Sequence, residues 1–204
     1  MTAWWDELNA DARARADQQY VDQSIRIHEA GHAVVARYFG AVDVHTYYVP
    51  GGRHGTVGQT TQGWPAKAWT VERNGVVALA GIAAVDNSAF EEYDLATGDS
   101  DRLKATAAAT ILAREGKYRT VEAAFEALYW QARTLCHELR GELQGVAALL
   151  GTNLRLGAAE VDAAMAAGRE RQSILNLPPS RKPATRHAPR APRRYPIGSI
   201  PRFL

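Results

Sequence analysis

The chain has 204 residues, of which 46% are hydrophobic and 23% charged, the balance of a soluble globular protein large enough to bury a core without covalent staples. A single cysteine, Cys136, excludes an internal disulfide and a cysteine-built zinc site. The net charge of +2 hides a division: residues 178–204 carry seven basic residues and no acid, leaving 17 basic against 22 acidic residues in the remainder.

Residues 1–20 read as a polar, Ala-rich helical lead-in anchored by Trp4 and Trp5. Asp6 and Glu7 stand where a signal peptide would need basic residues. The longest apolar stretch, Val76 to Val85, is shorter than the roughly 20 residues a membrane helix needs. The expectation is a cytoplasmic protein with no membrane partner.

The next stretch carries the chemistry. Ile27-His28-Glu29-Ala30-Gly31-His32-Ala33 reads H-E-x-x-H. Residues four apart share one face of a helix, so His28 and His32 can offer two nitrogens to one tetrahedral zinc. Glu29 projects beside them, where a carboxylate can take a proton from a water activated at the metal. Between Ile25 and Phe39 the only full charges are Arg26, Glu29 and Arg37, so the helix is expected to be largely buried. A buried glutamate between two histidines needs partners or a chemical task. Gly40 is placed to end the helix as its C′ residue.

Val42 to Val49 is rich in β-branched and aromatic residues and predicts a strand. Pro50 to Gly55 is turn chemistry, and Thr56 to Thr61 predicts a return strand softened by Gly58 at a sheet edge. Beyond Gly63-Trp64-Pro65 the pattern turns helical from Ala66 to Asn87, with Gly75 as a break point. Asp99-Ser100 reads as the N-cap of a helix over 101–114, closed by Gly116. Thr120 caps a long helical stretch whose apolar residues run from Val121 to Leu150, with Gly141 and Gly145 as bending points. Cys136 falls in this stretch as a small core residue. A last helix is expected over 158–167. From Pro178 the chain is rich in Pro and Arg with little to bury, which predicts a disordered tail over 178–204.

A catalytic zinc needs a third protein ligand and an open position. His45, His54, His137 and His187 each stand alone in strand, turn, helix or tail. The acidic candidates are Asp99 and Asp101, two residues that would serve equally well as helix N-caps.

At this point the sequence resembles the peptidase domain of the FtsH-type zinc proteases. The resemblance covers about residues 24–167 and rests on His28-Glu29-Ala30-Gly31-His32-Ala33-Val34-Val35, followed by an apolar strand, a Pro-Gly-Gly-Arg turn and a Gly-containing strand. Val77 to Ala84 looks like the family's L-x-G-R-A-A-E segment. Thr97-Gly98-Asp99-Ser100-Asp101 through Ala105-Thr106 looks like the segment whose aspartate is the third zinc ligand. Counting back from Ala105-Thr106 places that role on Asp101, with Asp99 as the alternative. The spacing from Thr97-Gly98 to Asp101 is one residue short of the family pattern. The family's Arg and first Glu fall on Ile82 and Val85, with Asp86 the nearest acid, so a carboxylate that orients a ligating histidine is missing or moved. No G-x-x-x-x-G-K stretch occurs in these 204 residues.

The expectation is therefore a mainly helical α+β domain over 21–177 with a small β hairpin or sheet. The resemblance implies one zinc per chain on His28, His32 and Asp101, with Glu29 as catalytic base. The activity implied is cleavage of unfolded proteins or peptides laid as an added strand along Gly55 to Thr61, without an ATPase of its own. The alternative is a weak or inactive protease-derived zinc-binding interaction module. The resemblance further implies self-association into a homo-oligomer, with a separate ATPase as the partner that would supply a motor. The basic tail offers salt-dependent, sequence-blind affinity for nucleic acid, but a solubilising or partner-docking tail explains the same charge, and its only stacking candidates are Tyr195 and Phe203.

Overall fold

The computed structural model describes residues 3–52, 55–88 and 99–175. The predicted tail, His54, His187 and the Thr97-Gly98 pair lie outside the described residues. The described chain is mainly helical with one small antiparallel sheet. Its elements run α1 (Ala3–Tyr38), β1 (His45–Gly52), β2 (Gly55–Thr61), α2 (Val71–Asp86), α3 (Asp99–Arg114), α4 (Val121–Glu138), α5 (Arg140–Asn153), β3 (Arg155–Leu156) and α6 (Ala158–Leu175).

The lead-in and the motif helix are one element. α1 runs unbroken for 36 residues, about 54 Å, because nothing between Tyr20 and Ser24 interrupts a helical backbone. From Ala10 to Gln19 its side chains are exposed wherever they are described, and burial begins at Ser24 and Ile25. It stops as the sequence predicts. Gly40 adopts φ +91°, the amide of Ala41 reaches back to Ala36 O and that of Gly40 to Arg37 O, which is a Schellman closure. The same pair of bonds closes α3, from Lys117 to Leu112 and from Gly116 to Ala113.

β1 begins three residues later than its composition suggests. The guanidinium of Arg37 holds the carbonyls of Ala41 and Val42, and an ion pair with Asp162 of α6 fixes the guanidinium in turn. Those carbonyls are thereby taken from any strand partner. At the other end β1 extends through Pro50 into the predicted turn. The strand order is β2-β1-β3, with Tyr47 opposite Gln59 and Tyr48 opposite Gly58 on one side and Thr46 opposite Leu156 on the other. β2 is thus an edge strand, as predicted. β3 is only two residues long and has no visible sequence signal.

α2 is the central helix. Its run from Gly75 to Gly81 is buried on every face, and it packs against α1, α3 and α4. Thr70 caps it by accepting from the amide of Arg73 at 3.1 Å. Gly75 does not break the helix; a Cβ there would stand 2.8 Å from Leu128 and 2.9 Å from Ala108, so the glycine admits α3 and α4. Thr120 caps α4 as expected, accepting from Ala123 at 3.1 Å.

Gly141 and Gly145 do not bend the long helix. The break falls at Leu139, between α4 and α5. The glycines instead let α6 lie against α5 backbone to backbone: a Cβ on Gly145 or Gly168 would overlap the carbonyl oxygens of Ala164 or Gly141. That contact carries α6 to Leu175, well past the predicted end at Ala167. No helix among the described residues is long and apolar enough to cross a membrane.

Gly168→Ala is expected to lower unfolding free energy by about 1–3 kcal/mol, the usual cost of overpacking. Urea titration checks this; an unchanged midpoint would show that the two helices can separate freely.

Candidate metal centre

The α1–α2 crossing sets the site. At Gly31 a Cβ would overlap Ala80 O and lie 2.8 Å from Ala84 Cβ, so only glycine lets the two helices approach this closely. At Gly81 a Cβ would stand 2.5 Å from His32 Nε2 and 2.6 Å from His28 Nε2. The space next to both nitrogens exists because residue 81 has no side chain.

α3 delivers the third group. Asp101 Oδ2 lies 3.0 Å from His28 Nε2 and 3.1 Å from His32 Nε2, and the two Nε2 atoms are 3.0 Å apart. His28, His32 and Asp101 are all buried, at 3%, 7% and 6% exposure, and together they could hold a metal ion. A tetrahedral ion about 2.0–2.2 Å from each donor spaces its donors about 3.3 Å apart, so an outward adjustment of about 0.3 Å suffices. Asp99 is exposed and ion-paired with Arg102, outside the cluster. His45 and His137 are exposed and also lie outside it.

The surroundings of the two imidazoles differ. His32 Nδ1 lies 2.7 Å from Val77 O, which obliges Nδ1 to carry a proton and leaves the Nε2 lone pair for the centre. His28 Nδ1 is buried with no hydrogen-bond partner among the described residues. Asp86, the nearest acid by sequence, is occupied elsewhere: it accepts from Tyr129 Oη at 2.5 Å, and burial together with that bond pushes the tyrosine pKa up to about 12.

Three acceptor atoms this close require a shared cation or protons. Burial opposes the charge of Asp101, yet its hydrogen bonds with both histidines hold its carboxyl well below the usual carboxylate range. Burial likewise opposes protonation of His32, but the Asp101 hydrogen bond and the charges of Glu29 and Asp101 raise its pKa above the ordinary value. A metal ion would displace such a proton, as ligand nitrogens must be deprotonated to bind. Lys104, one turn along α3, donates to the other carboxylate oxygen, Asp101 Oδ1, at 3.2 Å.

Glu29 is buried beside the cluster but outside it. Thr60 of β2 donates to Glu29 Oε2 at 2.7 Å, and its hydroxyl also lies 2.9 Å from Thr46 Oγ1. Gly58 of the same strand lets β2 pass over the glutamate, since a Cβ there would stand 2.5 Å from Glu29 Cγ and 2.8 Å from Oε1. Sequence reasoning missed both roles. A threonine in a strand is ordinary, and Gly58 reads as a softened edge until the helix beneath it is visible. The site opens into a cavity of about 280 Å³ between β2 and the helices, with Gln59, Asn74 and Lys104 on its walls.

Cys136 is buried against Ala80 O at 3.4 Å, and burial pushes its thiol up to about 12. Comparisons with protein-family models and with curated proteins find no match to this chain.

Gly81→Ala is expected to weaken metal affinity by about 10–100-fold or more, the range for disturbing a ligand's support, in a protein that keeps its helical circular dichroism. Competition with a colorimetric chelator measures it. Undiminished affinity in the folded variant would place the metal elsewhere.

Proposed function

We propose that this chain is a zinc-dependent endopeptidase, similar to the FtsH-type peptidase domain, that cleaves unfolded proteins or peptides without a motor of its own. The observation that carries the reading is the meeting of His28 Nε2, His32 Nε2 and Asp101 Oδ2 within 3.1 Å of one another, beside a buried glutamate that is not part of the cluster.

Zinc held by His28, His32 and Asp101 would supply Lewis acidity, polarising the scissile carbonyl and acidifying a water. Glu29 accepts that water's proton and passes it to the leaving amine. Thr60 holds Oε2 by its hydroxyl, which orients the carboxylate and leaves Oε1 for the transfer. Val77 O keeps His32 in the tautomer that presents Nε2 to the centre. The substrate backbone adds to the edge strand β2, whose Gly58 to Thr60 line the same cavity as the histidines. Asn74 lines the same cavity and carries an amide donor.

A folded substrate must open by itself to enter such a groove, and its cleavage follows its open population. This reading makes the chain active on unfolded chains and indifferent to ATP, with homo-oligomerisation or a separate ATPase as additions to the same site.

One observation favours a second reading, a weak or inactive zinc-binding interaction module. His28 Nδ1 lacks, among the described residues, the partner that normally orients a ligating histidine and raises its basicity.

Glu29→Gln separates the two. It is expected to retain about one zinc per chain and to lose at least about 100-fold in hydrolysis of a casein-like unfolded substrate, the low end of general-base contributions. Zinc-loaded wild-type protein that cleaves no unfolded substrate would establish the module instead. Wild-type turnover in the variant would place the base elsewhere.

A further inference from the structure

A second cavity lies on the far side of the α1–α2 crossing, with no residue in common with the metal centre. It encloses about 320 Å³, the size of a small-ligand site. Its floor is apolar, formed by Ile27, Ala84, Leu143 and Ala147 from α1, α2 and α5. Arg26 and Arg140 stand at its walls, and no acid lines it.

The arginines are the informative part. No ion pair among the described residues engages either of them. Arg26 is half-buried and uses its Nε on the carbonyl of Asp22 at 3.2 Å, with its guanidinium 5.7 Å from the centre of the Tyr48 ring. Its guanidinium is thereby turned toward Tyr48 and Gly151, beside Asp22 in the neighbouring cavity, so that Arg26 lends this one its stem and Arg140 carries the charge. Arg140 is exposed at the start of α5. A guanidinium is always charged and offers paired donors that match a carboxylate. No phenylalanine, tyrosine or tryptophan lines the cavity, so a nucleobase lacks a broad stacking surface.

We propose that this cavity is a second ligand site, which takes a small monocarboxylate bearing an apolar chain. The chain lies against Ile27, Ala84, Leu143 and Ala147, and the carboxylate meets Arg140. The assignment stands on this cavity alone and is independent of the peptidase reading. The site also backs onto the metal centre: Ala84 packs beneath Gly31, and Cys136, which lines the cavity, donates to the carbonyl of Ala80. An occupant is therefore in contact with the helix pair that holds the histidines.

Calorimetric titration of the full chain with decanoate, below its micellar concentration, tests this. Saturable binding of one decanoate per chain is expected, with methyl decanoate weaker by about tenfold or more, since one charge-assisted hydrogen bond is worth about that factor. Arg140→Gln is expected to weaken decanoate by a similar factor without moving the thermal midpoint. Arg119→Gln, an exposed arginine outside the cavity, is expected to leave it unchanged. Ala148→Phe, at the cavity wall, is expected to abolish binding. Absence of saturable binding, equal affinity for the ester, or equal losses in the Arg140 and Arg119 variants would overturn the proposal. Tighter binding of a peptide ending in a free leucine carboxylate than of decanoate would also overturn it.

Discussion

Two imidazole nitrogens and a carboxylate oxygen, each within 3.1 Å of the others and largely buried, form an arrangement that cannot hold itself together. Lone pairs at that distance repel unless protons or a cation lie between them. The rest of the structure can be understood as what keeps them there. α1 supplies the histidine pair one turn apart, α2 crosses it at Gly31 and Gly81, and α3 brings Asp101 in from the other side of α2. The favourable burial of α2 on all faces anchors this geometry; the electrostatics of the cluster alone would oppose it.

Glycine recurs wherever two elements must come closer than side chains allow. Gly31 and Gly81 admit the α1–α2 crossing and the metal-sized gap, Gly58 admits β2 over Glu29, and Gly145 and Gly168 admit α6 against α5. Each forgoes a buried side chain and carries the backbone entropy of glycine, so each is a local loss of stability accepted for proximity. Three of the five bear on the site itself. The α5–α6 pair acts at a distance: α6 supplies Asp162, which fixes Arg37, and Arg37 shapes the turn that leads α1 into the sheet.

The support of the site is uneven. His32 is held by a backbone carbonyl of α2, which no side-chain substitution removes, and Glu29 by a hydroxyl of β2. His28 has no such hold on its second nitrogen among the described residues, and Asp86 is spent on Tyr129. A ligand whose outer nitrogen lacks a hydrogen-bond partner is a poorer donor. That difference between two histidines on one helix is the feature that separates an efficient catalyst from a binding module in the proposed readings.

The sequence by itself determined whatever depends on neighbours within a few residues. The i, i+4 histidine pair, the glycine closures at Gly40 and Gly116, the Thr120 cap and the edge position of the second strand all follow from local backbone geometry and periodicity. Local pattern did not separate Asp99 from Asp101, since both suit a helix N-terminus; the register counted from Ala105-Thr106 in the family resemblance pointed to Asp101, and the packing of α3 brings that residue to histidines some 70 residues away. The roles of Thr60, Gly58 and the Val77 carbonyl, the break at Leu139 and the purpose of Gly141 and Gly145 were equally invisible. Each is a distance between segments far apart in the chain. Such distances are set by how whole helices pack, and no local pattern records them.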